Sequence, residues 1–215
     1  MSRSYTLAPS WRCLLTHERS DLRWVTVIFG AIRVTDAEAK SASAQADILI
    51  QVQKMIAAFE ADWLGLTRGR HLSGVIWRGA YELELHRELE PETHRYELLE
   101  SLGYDVTPLA PDERLLVPHV HFVIALGKRT PDDLKNALAR WTGKWQTMAK
   151  NLKKKQTVEE AITNLASYSH KRMPHYSTGG LGNVPVKYGA HYGLTWLRFI
   201  DALYDGFDTE FRSKK

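Results

Sequence analysis

Two histidines lie one residue apart in the apolar segment VPHVHFVIAL, residues 117–126. The β-branched and apolar residues predict a strand, in which residues i and i+2 point to the same side. His119 and His121 therefore share one face, while Val120 and Phe122 face a core. Neutral imidazole is a good ligand for divalent transition metals, so the pair is a candidate for two ligands of a metal site. The alternative is that both histidines are polar residues on the wet face of a half-buried strand.

A third ligand is expected from a neighbouring strand, because two ligands rarely make a metal site. The segment VIWRGAYELEL, residues 75–85, alternates so that Tyr81 and Leu83 face one side and Glu82 and Glu84 the other. Two histidines and one carboxylate leave coordination positions open for a substrate. Alone, the two glutamates are equally compatible with surface charges on an alternating strand.

A candidate nucleophile lies in the segment SYSHK, on a helix predicted to begin at the capping-box sequence TVEE, residues 157–160. Tyr168 extends the apolar stripe of this helix, and Lys171 lies one turn further along the same side. A phenol that attacks a phosphate needs its anion stabilised, and a nearby ammonium group can do so. The alternative is a tyrosine in the core. Tyr176 is a weaker candidate for the same role.

Basic residues form several clusters in the last third of a chain whose net charge is +4. Such clusters attract polyanions, of which nucleic acid is the usual one. The alternative is a solvated helix end followed by a polar linker. The candidate DNA-binding residues are Lys144, Lys150, Lys153, Lys154, Lys155 and Arg172.

The first half of the chain must position the histidines and glutamates. Strands are predicted from residue 23 to 34, over 75–85 and over 117–126, and the spacing of apolar residues predicts a long amphipathic helix over 39–63. The charged residues 86–113 are predicted to form an insertion with a short helix near 93–102. This insertion gives the second and third strands a route to pair antiparallel.

The second half is predicted to be mainly helical. One helix is expected over 130–150, with a threonine cap, a proline at its first position and a buried stripe of Leu134, Leu138, Trp141, Trp145 and Met148. The helix that carries Tyr168 follows it. A last segment, residues 186–203, is predicted to contain a short strand and a helix. Its Tyr188, Tyr192 and Trp196 could stack on bases or pack in the core.

This order of elements predicts an α+β fold with a central antiparallel sheet, helices on one face and the site on the other. A chain of 215 residues suits one sizeable domain, alone or with an extension. Its single cysteine, Cys13, provides no disulfide framework. No apolar run approaches the roughly 20 residues that span a bilayer. We therefore expect a soluble, cytoplasmic protein with no membrane partner.

The motifs together resemble those of the HUH endonucleases, specifically the rolling-circle replication initiators of bacterial plasmids and phages. The similarity rests on three segments in the family's order: WVTVIF (24–29), PHVHFVI (118–124) preceded by the glutamate strand GAYELEL (79–85), and YSHK (168–171) on a helix. It covers roughly residues 23 to 176. The insertion at 86–113 departs from compact members. No second tyrosine lies within the helix, so the chain resembles the single-tyrosine type.

The resemblance implies a fold, a domain division and a metal. The fold would be the split βαβ, RRM- or ferredoxin-like sheet of HUH domains, over residues 1–176, with a C-terminal extension over 177–215 packed on it. His119, His121 and one glutamate would hold Mg²⁺ or Mn²⁺. The resemblance favours Glu82 as that ligand, from its place after the Gly-Ala-Tyr stretch, with Glu84 as the alternate.

The resemblance also implies a reaction. Tyr168 would attack a scissile phosphate of single-stranded DNA, giving a 5′-phosphotyrosine link and a free 3′-hydroxyl, while Lys171 neutralises phosphate charge. The substrate would be an origin hairpin or nick site, and a host helicase and polymerase would be further partners.

Three other functions are compatible with these motifs. An HUH transposase shares the order of histidines and tyrosine, whereas conjugative relaxases usually place the tyrosine first. A metal-dependent phosphoesterase or nuclease would use water as the nucleophile at the same site. A non-catalytic module would bind single strands without cutting them.

Overall fold

The computed structural model describes residues 9–168, 176–177 and 193–213, with the side chains of residues 11–164, 166 and 193–213. The strands are β1 (Leu22–Ile28), β2 (Ile32–Thr35), β3 (Ile76–His86), β4 (Glu113–Ala125), β5 (Thr147–Asn151), β6 (Tyr176–Ser177) and β7 (Glu210–Arg212). The helices are α1 (Asp36–Lys40), α2 (Ala42–Arg68), α3 (His94–Ser101), α4 (Pro131–Leu138), α5 (Val158–Tyr168) and α6 (Leu194–Asp205). Two 3-10 helices, Pro9–Thr16 and Arg19–Asp21, precede β1. Among the described helices, none combines the length and the hydropathy that a bilayer-spanning segment requires.

The strands form one sheet with the order β5–β1–β4–β3–β6, in which β2 also pairs with β4 and β7 with β3. Neighbouring strands are antiparallel except β3 and β6, which are parallel. The fold is therefore α+β with a largely antiparallel sheet, which confirms the predicted class. The segment predicted as one strand from Arg23 is two strands, because β1 and β2 pair in succession along the same long strand, β4.

One face of the sheet carries the main core. The N-cap of the long helix α2 is Ser41, whose side chain accepts a hydrogen bond from the backbone N–H of Ala44. Inward-facing aromatic residues of β3 and β4, together with α4 and α6, pack against it. The buried positions of α2 recur every three or four residues, as predicted: Ile48, Val52, Ile56, Phe59 and Trp63.

The opposite face, which carries His119 and His121, is covered at both ends. At one end of β4, Val123 packs with residues of the 3-10 helix Pro9–Thr16 and of α5. At the other end, Val117 packs against the insertion, including Leu99 of α3. The prediction that helices cover only one face is therefore wrong. Apolar side chains flank the histidines on this face, and their burial requires additional elements on either side.

The segment predicted as one helix over 130–150 divides into a helix and a strand. The helix α4 has the predicted threonine cap and proline but ends at Leu138, and residues Thr147–Asn151 pair with β1 as β5. Between them Trp145 has a φ of 63°, a left-handed conformation that a continuing helix excludes. Trp145 and Met148, predicted to be buried, are 51% and 41% exposed. Residues 147–151 form a strand and not a helix because they pair with β1, a segment distant in sequence.

The insertion between β3 and β4 contains the helix predicted near residues 93–102. This helix, α3, is capped by Thr93, whose hydroxyl accepts a hydrogen bond from the backbone N–H of Tyr96. The two strands on either side pair antiparallel over the whole length of β3, as predicted.

The C-terminal elements belong to the main core. β7 adds a strand beside β3, and α6 packs next to α2. Trp196, one of the aromatics considered for base stacking, is buried, and the Arg114 guanidinium lies 5.3 Å from the centre of its ring. Tyr188 and Tyr192 lie outside the described residues. The buried residues of α6 are Trp196, Phe199, Ile200, Leu203 and Tyr204.

Candidate metal centre

The pairing of β3 with β4 brings a carboxylate next to the two histidines. Glu82 lies directly opposite His119 in this antiparallel register, and Ala80 lies opposite His121. Opposite residues have Cβ atoms about 4.5–5.5 Å apart, so their side chains are in reach of one another. Because side chains alternate along a strand, all three polar groups project from the same face.

Three potential ligand atoms converge at this point. His119 Nε2 lies 3.1 Å from His121 Nε2. Glu82 Oε2 lies 3.5 Å from His119 Nε2 and 3.4 Å from His121 Nε2. Bonds of about 2.1 Å place ligand atoms roughly 3.4 Å apart in a tetrahedral site and roughly 3.0 Å apart in an octahedral one. The three separations fit this range, so the cluster could hold a divalent metal ion.

Burial and charge favour a cation at this cluster. Glu82 is 4% and His119 5% exposed, and a buried carboxylate is costly unless an opposite charge or hydrogen bonds offset it. Burial lowers the pKa of His119, but the hydrogen bond and the attraction from Glu82 outweigh it, so the pKa lies above its usual value. The surroundings of Glu82 therefore favour positive charge, whether a proton or a metal ion supplies it.

Hydrogen bonds to the second ring nitrogens orient both imidazoles. His119 Nδ1 lies 3.0 Å from the carbonyl oxygen of Val117, which can only accept, so Nδ1 carries a proton and, in the neutral imidazole that a metal requires, Nε2 keeps its lone pair. His121 Nδ1 lies 2.8 Å from Thr26 Oγ1, on β1. The same hydroxyl accepts a hydrogen bond of 3.3 Å from Trp24 Nε1. Such partners fix the ring orientation that a ligand requires.

Glu84, the other glutamate considered, has different partners. Its Oε2 lies 3.2 Å from His86 Nε2, and its Oε1 lies 3.4 Å from Nη2 of Arg95, on α3. Burial raises the pKa of Glu84, but attraction to these two groups outweighs it and holds the pKa well below its usual range. Because burial lowers the pKa of His86 itself, Arg95 is the more secure source of positive charge. The cluster with the histidines therefore contains Glu82 and not Glu84.

A cavity of about 520 Å³ adjoins the cluster at His121. In the pairing of β1 with β5, Thr26 lies opposite Met148 and Trp24 opposite Lys150, and all four residues line the cavity. The turn after β5 and the helix α5 form the remaining walls. The guanidinium of Arg19 fixes this turn by donating hydrogen bonds to backbone carbonyls of residues 153 and 156.

Comparison with protein-family models, curated proteins and solved structures gives one result. No match to this chain was found. The resemblance to the HUH endonucleases therefore rests on the motifs of the chain itself.

The helix α5 ends at the predicted nucleophile. The capping box is confirmed, because Thr157 Oγ1 accepts from the Glu160 N–H at 3.0 Å and the Glu160 carboxylate accepts from the Thr157 N–H at 2.6 Å. Asn164 lines the cavity, and Tyr168 lies four residues later on the helix backbone. The side chain of Tyr168 lies outside the described residues, as do Lys171 and Arg172 entirely. The side chain of Tyr176 is also outside them, so these roles stay predictions.

The lysines predicted to bind DNA occupy different surroundings. Lys150 and Lys153 line the cavity, and Lys154 and Lys155 are exposed in the turn before α5. Lys144 lies elsewhere: its Nζ is 2.7 Å from Oε1 of Glu97, on α3. A basic residue whose charge is already paired contributes less to binding a polyanion, so Lys150 and Lys153 are the stronger candidates.

Three residues to which the sequence assigned no individual role line the cavity beside the cluster; two of them lie in the segment WVTVIF (24–29). They are Trp24 and Thr26 on β1 and Asn164 on α5. The alternation of β1 does place Trp24 and Thr26 on one face. Their position beside His121 follows only from the pairing of β1 with β4, which no local pattern reveals.

Proposed function

We propose that this chain is an HUH-type endonuclease that nicks single-stranded DNA to initiate rolling-circle replication of a plasmid or phage. The observation that carries the proposal is the cluster of Glu82, His119 and His121 beside a lysine-lined cavity whose wall includes α5, the helix that ends at Tyr168. Transfer of a DNA phosphate to a tyrosine requires a metal site, a cavity lined by positive charges and a tyrosine.

The order of the elements supports this proposal. From β1 to β5 the chain runs β1, α2, β3, β4, α4, β5, with the strand β2 and the short helices α1 and α3 added between them. These four strands lie in the sheet in the order β5–β1–β4–β3. Split βαβ, ferredoxin-like sheets have this succession. The helices α2 and α4 pack on the face opposite the cluster, which leaves the middle of the other face, between the elements that cover its two ends, for the site. We propose that the fold is the HUH variant of this arrangement.

In this function Glu82, His119 and His121 would hold Mg²⁺ or Mn²⁺. The ion would supply polarisation of a phosphate oxygen and stabilise the charge that develops there. Two imidazoles favour Mn²⁺, since Mg²⁺ prefers oxygen ligands. The hydrogen bonds with Val117 and Thr26 hold both Nε2 atoms toward one point, so the ligands need little reorganisation.

The proposed nucleophile is the phenol oxygen of Tyr168. It would form a bond to phosphorus while the bond from phosphorus to the 3′-oxygen breaks. The phenol gives up its proton as this bond forms, and the 5′-phosphate stays on the tyrosine. The 3′-oxygen takes up one proton and leaves as a hydroxyl, so the number of protons is unchanged. The ammonium group of Lys171 would stabilise the phenolate and the phosphate charge during this step.

Lys150 and Lys153 would bind the phosphates of the strand as it enters the cavity. Both are exposed and line the same space as His121, so a backbone bound there runs past the metal cluster. Lys154 and Lys155 would extend this path along the turn, and Arg172 would contribute beyond α5.

The decisive experiment is a search for a covalent adduct. Single-stranded DNA from the protein's own replicon is incubated with the protein and Mn²⁺, and the products are separated on a denaturing gel. We expect the native protein to give a protein–DNA adduct and a new 3′-hydroxyl end. Tyr168→Phe should abolish both, because the attacking oxygen is removed, and Tyr176→Phe is the matched control that should retain both.

The other outcomes identify the alternatives. Cleavage that persists in Tyr168→Phe without an adduct would indicate a phosphoesterase or nuclease that uses water. Metal-independent binding without cleavage, unchanged when both histidines are replaced by alanine, would indicate a non-catalytic module. Joining of the cut strand to a second DNA would favour a transposase.

A further inference from the structure

We propose that the cavity beside His121 binds one base of the DNA strand, stacked on the indole of Trp24, and thereby sets which phosphate reaches the metal cluster. The inference rests on the proposed function for its choice of single-stranded DNA as the ligand. It adds a base-binding pocket made by residues of β1, β5 and α5.

The stacking surface consists of Trp24 and Met148. The indole of Trp24 is partly packed against the cluster formed by the 3-10 helix Pro9–Thr16 and α5, and it also lines the cavity. Met148 is 41% exposed on the neighbouring strand and lines the same space. Bases of single strands stack on aromatic side chains whatever their sequence, and a polarisable thioether packs well beside a flat ring.

The rest of the cavity combines two apolar residues, Leu152 and Ala161, with polar groups of the kind that a nucleotide requires. Asn151, Gln156 and Asn164 bring amide groups, each of which can donate and accept hydrogen bonds as a base edge does. Lys150 and Lys153 supply positive charge for a phosphate. The volume, about 520 Å³, lies within the roughly 300–1,000 Å³ of small-ligand pockets. An indole, amides and ammonium groups together favour a nucleotide over an apolar ligand.

One hydroxyl links the stacking surface to the metal cluster. Thr26 Oγ1 accepts a hydrogen bond from Trp24 Nε1 and contacts His121 Nδ1 at 2.8 Å. The indole and the imidazole also meet edge to face, with ring centres 5.7 Å apart. A base held on Trp24 would therefore lie beside His121, with its sugar and phosphate within reach of the cluster of Glu82, His119 and His121. Trp24 acts as a positioning residue for the scissile phosphate.

The test compares a strand that has bases with one that has none. Binding of fluorescently labelled single-stranded DNA of about 12 nucleotides is measured by anisotropy in the presence of EDTA, next to a strand of equal length built only of abasic units. We expect Trp24→Ala to weaken binding of the normal strand by roughly 5- to 100-fold and to leave binding of the abasic strand unchanged. Trp24→Phe should restore most of the loss, because phenylalanine still stacks.

Trp145→Ala is the matched control. Trp145 is 51% exposed, stacks on His94 and does not line the cavity, so this change should alter binding of neither strand. Equal losses on both strands in Trp24→Ala, or no loss on either, would overturn the proposal. Because the assay contains no divalent metal and scores no cleavage, its result is independent of adduct formation. Failure of the base pocket and failure of the nicking reaction are therefore separate observations.

Discussion

Glu82 and Glu84 lie two positions apart on the same face of β3, yet their surroundings differ in kind. The carboxylate of Glu82 shares its space with His119 and His121, whereas that of Glu84 is bound to His86 and Arg95. A shift of two residues in the register of β3 and β4 would place Glu84 opposite His119 instead. Which glutamate lies beside the two histidines is therefore decided by strand pairing and not by the glutamate itself.

We predict that Glu82→Gln weakens Mn²⁺ binding by at least about tenfold, since loss of even a supporting hydrogen bond at a metal site commonly costs 10- to 100-fold. Isothermal titration with MnCl₂ measures the change. Glu84→Gln removes the same charge two residues away and is the matched control, with an affinity close to that of the native protein. A larger loss in Glu84→Gln than in Glu82→Gln would show that Glu84 is the ligand.

The elements of the chain differ in how far local sequence determines them. The helix α2 has a helical period of its own, and β-branched, aromatic and apolar residues mark β3 and β4, so the sequence predicted all three elements together with the shared face of the two histidines. The residues of β5 fit a helical spacing equally well, and only the pairing of β5 with β1 excludes that helix. Thr26 likewise becomes a partner of His121 through pairing between distant segments. Pairing of this kind leaves no local pattern in the sequence.

We expect the lysines of β5 and of the following turn to determine how binding of single-stranded DNA depends on salt. Replacing Lys150 and Lys153 together by alanine should weaken binding of single-stranded DNA. The slope of log affinity against log salt concentration should become shallower by about 0.7 for each phosphate that the variant no longer neutralises. Anisotropy titrations over a series of NaCl concentrations measure this slope.

Lys144→Ala is the control for net charge, because the ammonium group of Lys144 is paired with Glu97. We expect the salt slope of this variant to equal that of the native protein. An equal change of slope in both variants would mean that the cavity is not the path of the strand.

At the scale of the whole molecule, the C-terminal elements and the first half of the chain share one core. Residues of α6 and β7 pack with those of α2, β3 and β4 in a single cluster. The hydroxyl oxygen of Tyr204, on α6, accepts a hydrogen bond of 2.9 Å from the backbone N–H of Leu83. This hydrogen bond ties α6 to the strand that carries Glu82. The segment after residue 193 therefore supports the sheet that positions Glu82, His119 and His121.

Leu203→Ala should lower the free energy of unfolding by about 2–5 kcal/mol, because Leu203 is buried in this core. Urea denaturation followed by circular dichroism measures the change. Leu194→Ala, in the first turn of the same helix, is the control: Leu194 is 61% exposed, and we expect a change within about 0.5 kcal/mol. Similar values for the two variants would mean that α6 does not contribute to the cooperative core.

The strand β5 ends the sheet on one side, and among the described residues it pairs only with β1. An open strand edge can pair with a strand of another molecule. Edge strands are commonly protected against such pairing by being short and by carrying lysine side chains. β5 has five residues and includes Lys150, and Lys153 follows in the turn after the strand. The charges that we propose for DNA binding are therefore also expected to disfavour pairing between copies of the protein. Neutralising them, by substitution or by bound phosphate, favours self-association through this edge.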